Sequence, residues 1–118
     1  MTKTATVANA VEFSMTGTKN SSYPTDTALA SSYFSSYTNS TVSKIVASVS
    51  FASDLTWGSS IKIVIGSDWI DTGTWGNSVI TFTITDSSQI STILTDGIKF
   101  GSDYNGKGYV TVTITYTE

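Results

Sequence analysis

Two-residue alternation of apolar side chains recurs in segment after segment of this chain, and it rules out most folds. Val110 to Tyr116 reads VTVTITY, with Val110, Val112, Ile114 and Tyr116 on one parity and threonines on the other. Val79 to Thr85, VITFTIT, aligns Ile80, Phe82 and Ile84. KIVASVSF aligns Ile45, Ala47, Val49 and Phe51, IKIVI aligns Ile61, Ile63 and Ile65, and near the start Val7, Val11, Phe13 and Met15 share one parity. A period of two places successive side chains on opposite faces of a strand, so each segment reads as a half-buried strand. Serine and threonine supply 41 of the 118 residues, which fills the outward parity with short side chains, the threonines being strand-favouring. With GIKF there are at least six strands in one domain over residues 1–118. The reading is an all-β, antiparallel β-sandwich of about seven to nine strands.

One segment departs from this period. DSSQISTILTDG carries Ile90, Ile93 and Leu94 at helical spacing. Asp86 followed three residues later by Gln89 resembles a capping box, and Gly97 suits a left-handed C-terminal residue. A short helix near 87–95 is expected. Lys19 to Thr41 is polar, holds Pro24 and four aromatic residues, and is expected to include a short strand near SSYFSSY. It is too long for a structureless loop in a compact domain.

Composition removes several functions. The chain has no cysteine, histidine or arginine, and six lysines face nine carboxylates for a net charge of −3. No thiolate site or imidazole base is available, and no basic patch favours nucleic acid or an anionic membrane. No apolar run reaches the roughly 20 residues that span a bilayer. MTKTATVANA lacks the apolar stretch of a signal peptide. The chain therefore reads either as a cytosolic protein or as a module from a longer secreted one.

The tryptophans raise the functional question. Trp69 and Trp75 stand six residues apart in GSDWIDTGTWG, among glycine, aspartate and threonine. Asp71-Thr72-Gly73 has the form of a three-residue hairpin loop ending in glycine, which would pair Ile70 with Thr74 and set Trp69 across from Trp75. Pairing Ile61 with Ile84, Ile63 with Phe82 and Ile65 with Ile80 gives a register offset by one residue. A bulge at Gly66-Ser67 reconciles the two and turns Trp69 outward beside Trp75. Without the bulge Trp69 turns inward and only Trp75 is exposed; the alternative to two exposed indoles is that they pack on the Lys19 to Thr41 segment. A second hairpin is expected in IKFGSDYNGKGYVTV, with Phe100 opposite Val110, Ile98 opposite Val112, and Tyr104-Asn105-Gly106 as its loop.

Two outward indoles form an apolar patch of the kind that marks a binding site. Flat aromatic rings stack against the axial C–H face of a β-linked pyranose, and cross-strand neighbours lie about 5 Å apart, on the order of one sugar repeat. Asp68, Asp71, Asn77 and Lys62 are available for sugar hydroxyls. Trp57, in SDLTWGSS, either extends the platform or packs beneath the loop.

These residues carry a family resemblance. A small, Thr-rich, cysteine-free sandwich with a few loop tryptophans resembles the carbohydrate-binding modules of bacterial, cellulosomal-type plant cell-wall degrading enzymes. VITFTITDSSQISTILTDGIKFGSDYNGKGYVTVTITY is similar to their C-terminal half, about half of this chain. The resemblance implies a jelly roll and an extracellular location within a larger multi-domain enzyme. It implies binding without catalysis of a β-glucan, xyloglucan or glucomannan, with Trp57, Trp69 and Trp75 as the platform. Such modules often hold a structural calcium. DYNGKG lacks the bidentate acid that would close such a site, so none is placed and no cofactor is expected.

An enzyme is disfavoured on chemistry. With no histidine or cysteine, hydroxyl activation would need a lysine or carboxylate. A glycosidase needs two facing carboxylates, for which Asp68 and Asp71 qualify only by proximity. The competing class is an immunoglobulin-like, adhesin or pilin-type surface module, which has no reason to expose tryptophan.

Overall fold

The computed structural model describes residues 1–18, 21–51, 61–71 and 79–118, with Asp71 as backbone only. Its strands are β1 (Thr2–Thr16), β2 (Thr25–Leu29), β3 (Thr41–Phe51), β4 (Ile61–Ile65), β5 (Asp68–Asp71), β6 (Val79–Ile84), β7 (Ile98–Ser102) and β8 (Asn105–Thr117). They form two four-stranded antiparallel sheets, ordered β1-β8-β3-β6 and β2-β7-β4-β5. Four of the ladders nest: β4 with β5, β3 with β6, β2 with β7, β1 with β8. Rolling such a ribbon brings β8 against β3 and β7 against β4. This is the strand order of a jelly roll, an architecture of eight strands in two sheets.

The rolling overturns both long-range pairings expected above. β7 and β8 belong to different sheets, so Phe100 and Val110 both point into the core but share no ladder. Tyr104-Asn105-Gly106 is not a hairpin loop; Asn105 and Gly106 begin β8 opposite Thr16 and Met15 of β1. Likewise Ile80, Phe82 and Ile84 pair with Val49, Ala47 and Ile45 of β3 rather than with β4. Alternation records which face is buried, and any two inward faces satisfy it equally.

The core is the sum of those inward parities. Ile45, Ala47, Val49, Val110, Val112 and Ile114 from the first sheet meet Ile61, Ile63, Ile98 and Phe100 from the second, all essentially buried. Phe100 bridges the layers: its ring stacks on Phe13 at 5.2 Å and tilts against Phe82 at 5.6 Å. Along β1 the inward parity shifts where the register slips between Thr6 and Ala8, and again between Ala8 and Val11. Val7 is the extra residue, Ala8 takes the inward place, and Ala10 adopts a left-handed φ of 50°.

β1, β3 and β8 run 15, 11 and 13 residues, whereas the strands of the second sheet run 4 or 5. The overhanging part of the first sheet needs another cover. SSYFSSY supplies part of it, as a 3-10 helix over Ser31–Tyr37 rather than the expected strand. Its three-residue period puts Phe34 and Tyr37 on one side; Phe34 is fully buried, and Tyr37 meets Tyr116 edge-on at 5.0 Å. The strand in that region is β2, TDTAL.

The α-helix α1 (Ser87–Asp96) packs on the 3-10 helix and β3, burying Ile90 and Ile93. Asp86 caps it: its carboxylate accepts from Ser88 N at 2.9 Å, Gln89 N at 3.1 Å and Ser88 Oγ at 2.6 Å. Gly97, with φ of 82°, closes it by donating to the Ile93 carbonyl. The Ser88 hydroxyl, followed by the backbone N–H of Gln89, holds the Asp86 carboxyl below its ordinary value of 3.8. A depressed carboxylate stabilises the fold above its unfolded pKa, and that contribution is lost as pH falls through the lower folded value. Asp86→Ala is therefore expected to melt earlier than the parent at pH 7. The gap should close as the buffer is taken below 3.8, a comparison that thermal melts across pH measure directly.

Candidate functional site

The outer face of the second sheet gathers the residues of interest, and a tight turn sets its pattern. β4 and β5 form a hairpin in which Ile65 pairs with Asp68 across Gly66-Ser67. Gly66 has a φ of 62° and Ser67 does not share the positive sign, as a type II′ turn requires. The expected bulge at Gly66-Ser67 is thus a two-residue hairpin turn. Its register opposes Trp69 to Val64, and β4's inward isoleucines leave Lys62 and Val64 on the outer parity.

Two cross-strand rows define this face. The first runs Thr27, Lys99, Val64, Trp69, and the second Thr25, Gly101, Lys62, Asp71. The Trp69 indole crosses them diagonally. A Cβ on Gly101 would lie 2.0 Å from Trp69 Cζ3 and 2.5 Å from Cη2, so the ring occupies the space above that glycine. In crossing β4 it covers Val64, which is 5% exposed although it points away from the core, while Trp69 itself remains 44% exposed. Lys62 and Lys99 hold the other diagonal, one on each side of the ring.

Tyr23 completes the surface. Its ring lies 5.5 Å from the indole at an angle of 57°, and Lys62 Nζ sits 5.6 Å from its centroid. Tyr23 belongs to the Lys19 to Thr41 stretch, so that segment braces Trp69 from one side without covering it. Ser21, Ser22, Tyr23 and Asp103 line an adjoining open hollow of about 190 Å³.

The sequence candidates are placed unevenly. Trp69 and Lys62 come together on this face. Asp68 is exposed but lies opposite Ile65, on the parity away from Trp69. The Asp71 backbone pairs with Lys62, and its side chain lies outside the described residues. Trp57, Trp75 and Asn77, and with them the Asp71-Thr72-Gly73 turn, also lie outside the described residues. Tyr23, Lys99, Val64 and Gly101 escaped sequence reasoning. Gly101 alone carried a signal, because a glycine within a strand marks a close approach.

Among the described residues the ion pairs are Lys3–Glu118 at 3.3 Å and Lys107–Glu12 at 3.4 Å, and neither is on this face. No group of three His, Cys, Asp or Glu among them could hold a metal ion. Fold and face together describe a jelly roll that presents a braced indole, with two lysines at the flanking strand positions. No protein-family model matches the chain, and no curated protein matches it.

The glycine is a direct test of the geometry. Gly101→Ala is expected to displace the indole, because the added methyl would need the space of Cζ3. With Trp57 and Trp75 replaced by phenylalanine, Trp69 emission should shift to the red and quench more readily with acrylamide. An unchanged spectrum would mean that the ring does not cross β7.

Proposed function

We propose that this domain is a non-catalytic carbohydrate-binding module that holds a β-linked plant cell-wall glycan against the outer face of its second sheet. In this role it serves outside the cell as one part of a larger enzyme, keeping a glycoside hydrolase near its substrate. The observation that carries the reading is the Trp69 indole, laid across the sheet with nearly half its surface exposed. A surface spacer gains nothing from such a ring, since exposed apolar area costs about 25 cal/mol per Å². A sugar face would cover it. Trp57 and Trp75 as further platform residues, and Asp71 and Asn77 as partners for sugar hydroxyls, enter this proposal on their sequence positions alone.

An open platform has a thermodynamic signature. Each further sugar that stacks adds contact while much of the ordering cost is shared. Calorimetry is expected to show a β-linked hexasaccharide binding far more tightly than its monosaccharide. Equal affinities would reject a platform. Retention on starch but on no β-linked polymer would keep the binding role and change its ligand.

A further inference from the structure

We infer that the glycan held on this face is acidic: Lys62 and Lys99, on opposite sides of the Trp69 indole, pair with uronate carboxylates along a β-linked polysaccharide. This rests on the glycan-binding reading above and specifies its ligand.

The first support is placement. Val64 and Gly101 lie under the indole, and the two lysines take the remaining corners of the same four-residue square. Diagonal neighbours on a sheet stand about 7–8 Å apart, so a chain stacked on the ring passes between two ammonium groups that long stems can bring to it. The second is charge. The protein carries a net −3, yet the outward positions of these strands hold Lys62, Lys99, threonines, Val64 and Gly101, with Asp71 as the one acid in the two rows, on the edge strand. Asp26 of β2 is engaged elsewhere, accepting from Thr16 N at 2.9 Å and Thr16 Oγ1 at 3.0 Å.

The third support is preorganisation. Lys62 and Lys99 stand diagonally rather than directly opposite, with Asp71 the register partner of Lys62. A carboxylate lying between the two lysines would be drawn by both. Lys62 is also held in position, because its ammonium lies 5.6 Å from the centre of the Tyr23 ring, a contact that favours a cation. Lysine meets a carboxylate as a point charge and tolerates varied approach angles. That suits a polymer whose acidic groups recur along a flexible chain.

The probe is soluble glucuronoxylan, compared with the same polymer after chemical reduction of its carboxyl groups to alcohols. Wild type, Lys99→Gln, Lys62→Gln/Lys99→Gln and Trp69→Ala are titrated by calorimetry at low salt and at about 0.5 M sodium chloride, where surface charge is screened. Circular dichroism checks that each variant is folded. Because Lys99 is exposed, its single variant keeps the test valid even if the double one is destabilised. The wild type is expected to prefer the acidic polymer by about tenfold at low salt, the modest gain that two exposed ion pairs give. Lys99→Gln should lose part of that preference, and both the double variant and high salt should remove it. Equal affinity for the two polymers, still lost in Trp69→Ala, would overturn the acidic ligand and leave the glycan reading intact. A preference that survives Lys62→Gln/Lys99→Gln would overturn the assigned residues. No binding to either polymer or to neutral β-glucans would end both proposals.

Discussion

Phe100→Ala is expected to cost about 3–5 kcal/mol, the usual range for removing a fully buried phenylalanine. The ring is 0% exposed, sits on a central strand of the second sheet, and touches Phe13 of β1 and Phe82 of β6. It is therefore an aromatic link from the short sheet to two separate strands of the long one. The three rings form one cluster, and truncation would leave a void that neither Phe13 nor Phe82 can fill without leaving its own contacts. Domains of this kind have total stabilities of about 5–15 kcal/mol, so the loss is a large share. A melting point lowered by about 15 °C is expected from the size of the domain. Phe100→Leu keeps most of the volume and should cost much less. Urea denaturation of the three proteins measures this, and a Phe100→Ala midpoint equal to that of Phe100→Leu would show that the aromatic cluster is not what joins the layers.

Trp69→Ala should produce the opposite profile, a large loss of binding with a small loss of stability. A central aromatic anchor is typically worth 2 kcal/mol or more to binding, about thirtyfold in affinity. The fold is expected to lose only about 1 kcal/mol, chiefly because Val64 becomes exposed. The indole is not part of the inter-sheet core; it lies on the far side of the second sheet, with Gly101 beneath it and Tyr23 beside it. Parallel melts and glycan titrations separate the two effects. If Trp69→Ala bound a long glycan as well as the parent does, the platform would have to lie elsewhere. If it unfolded, the ring would be a packing element.

Much of the core is legible in the order of amino acids. The inward residues Ile45, Ala47, Val49, Ile61, Ile63, Ile80, Phe82, Ile84, Val110, Val112 and Ile114 follow from parity alone, and all are buried. The helix start at Asp86 and its end at Gly97 are local chemistry, written in side chains and backbone groups that bond two to four residues away. Local rules failed at SSYFSSY because serine and aromatic residues fit a strand by composition, while the three-residue spacing of Phe34 and Tyr37 chose a 3-10 turn beneath the overhang of the long sheet.

What the sequence by itself determined is the set of strands, their buried faces and the capped helix, because those depend on periods of two and 3.6 and on neighbours close in the chain. What only the tertiary structure decided is which inward face meets which, since Ile65 can satisfy its parity against Asp68 across a turn as readily as against Ile80 across a sheet. Rolling the nested ribbon separated β7 from β8, brought Lys99 beside Val64, and set Gly101 under an indole 32 positions earlier in the chain. No local pattern encodes that approach: a missing side chain is visible in sequence, but the ring that fills its place is not.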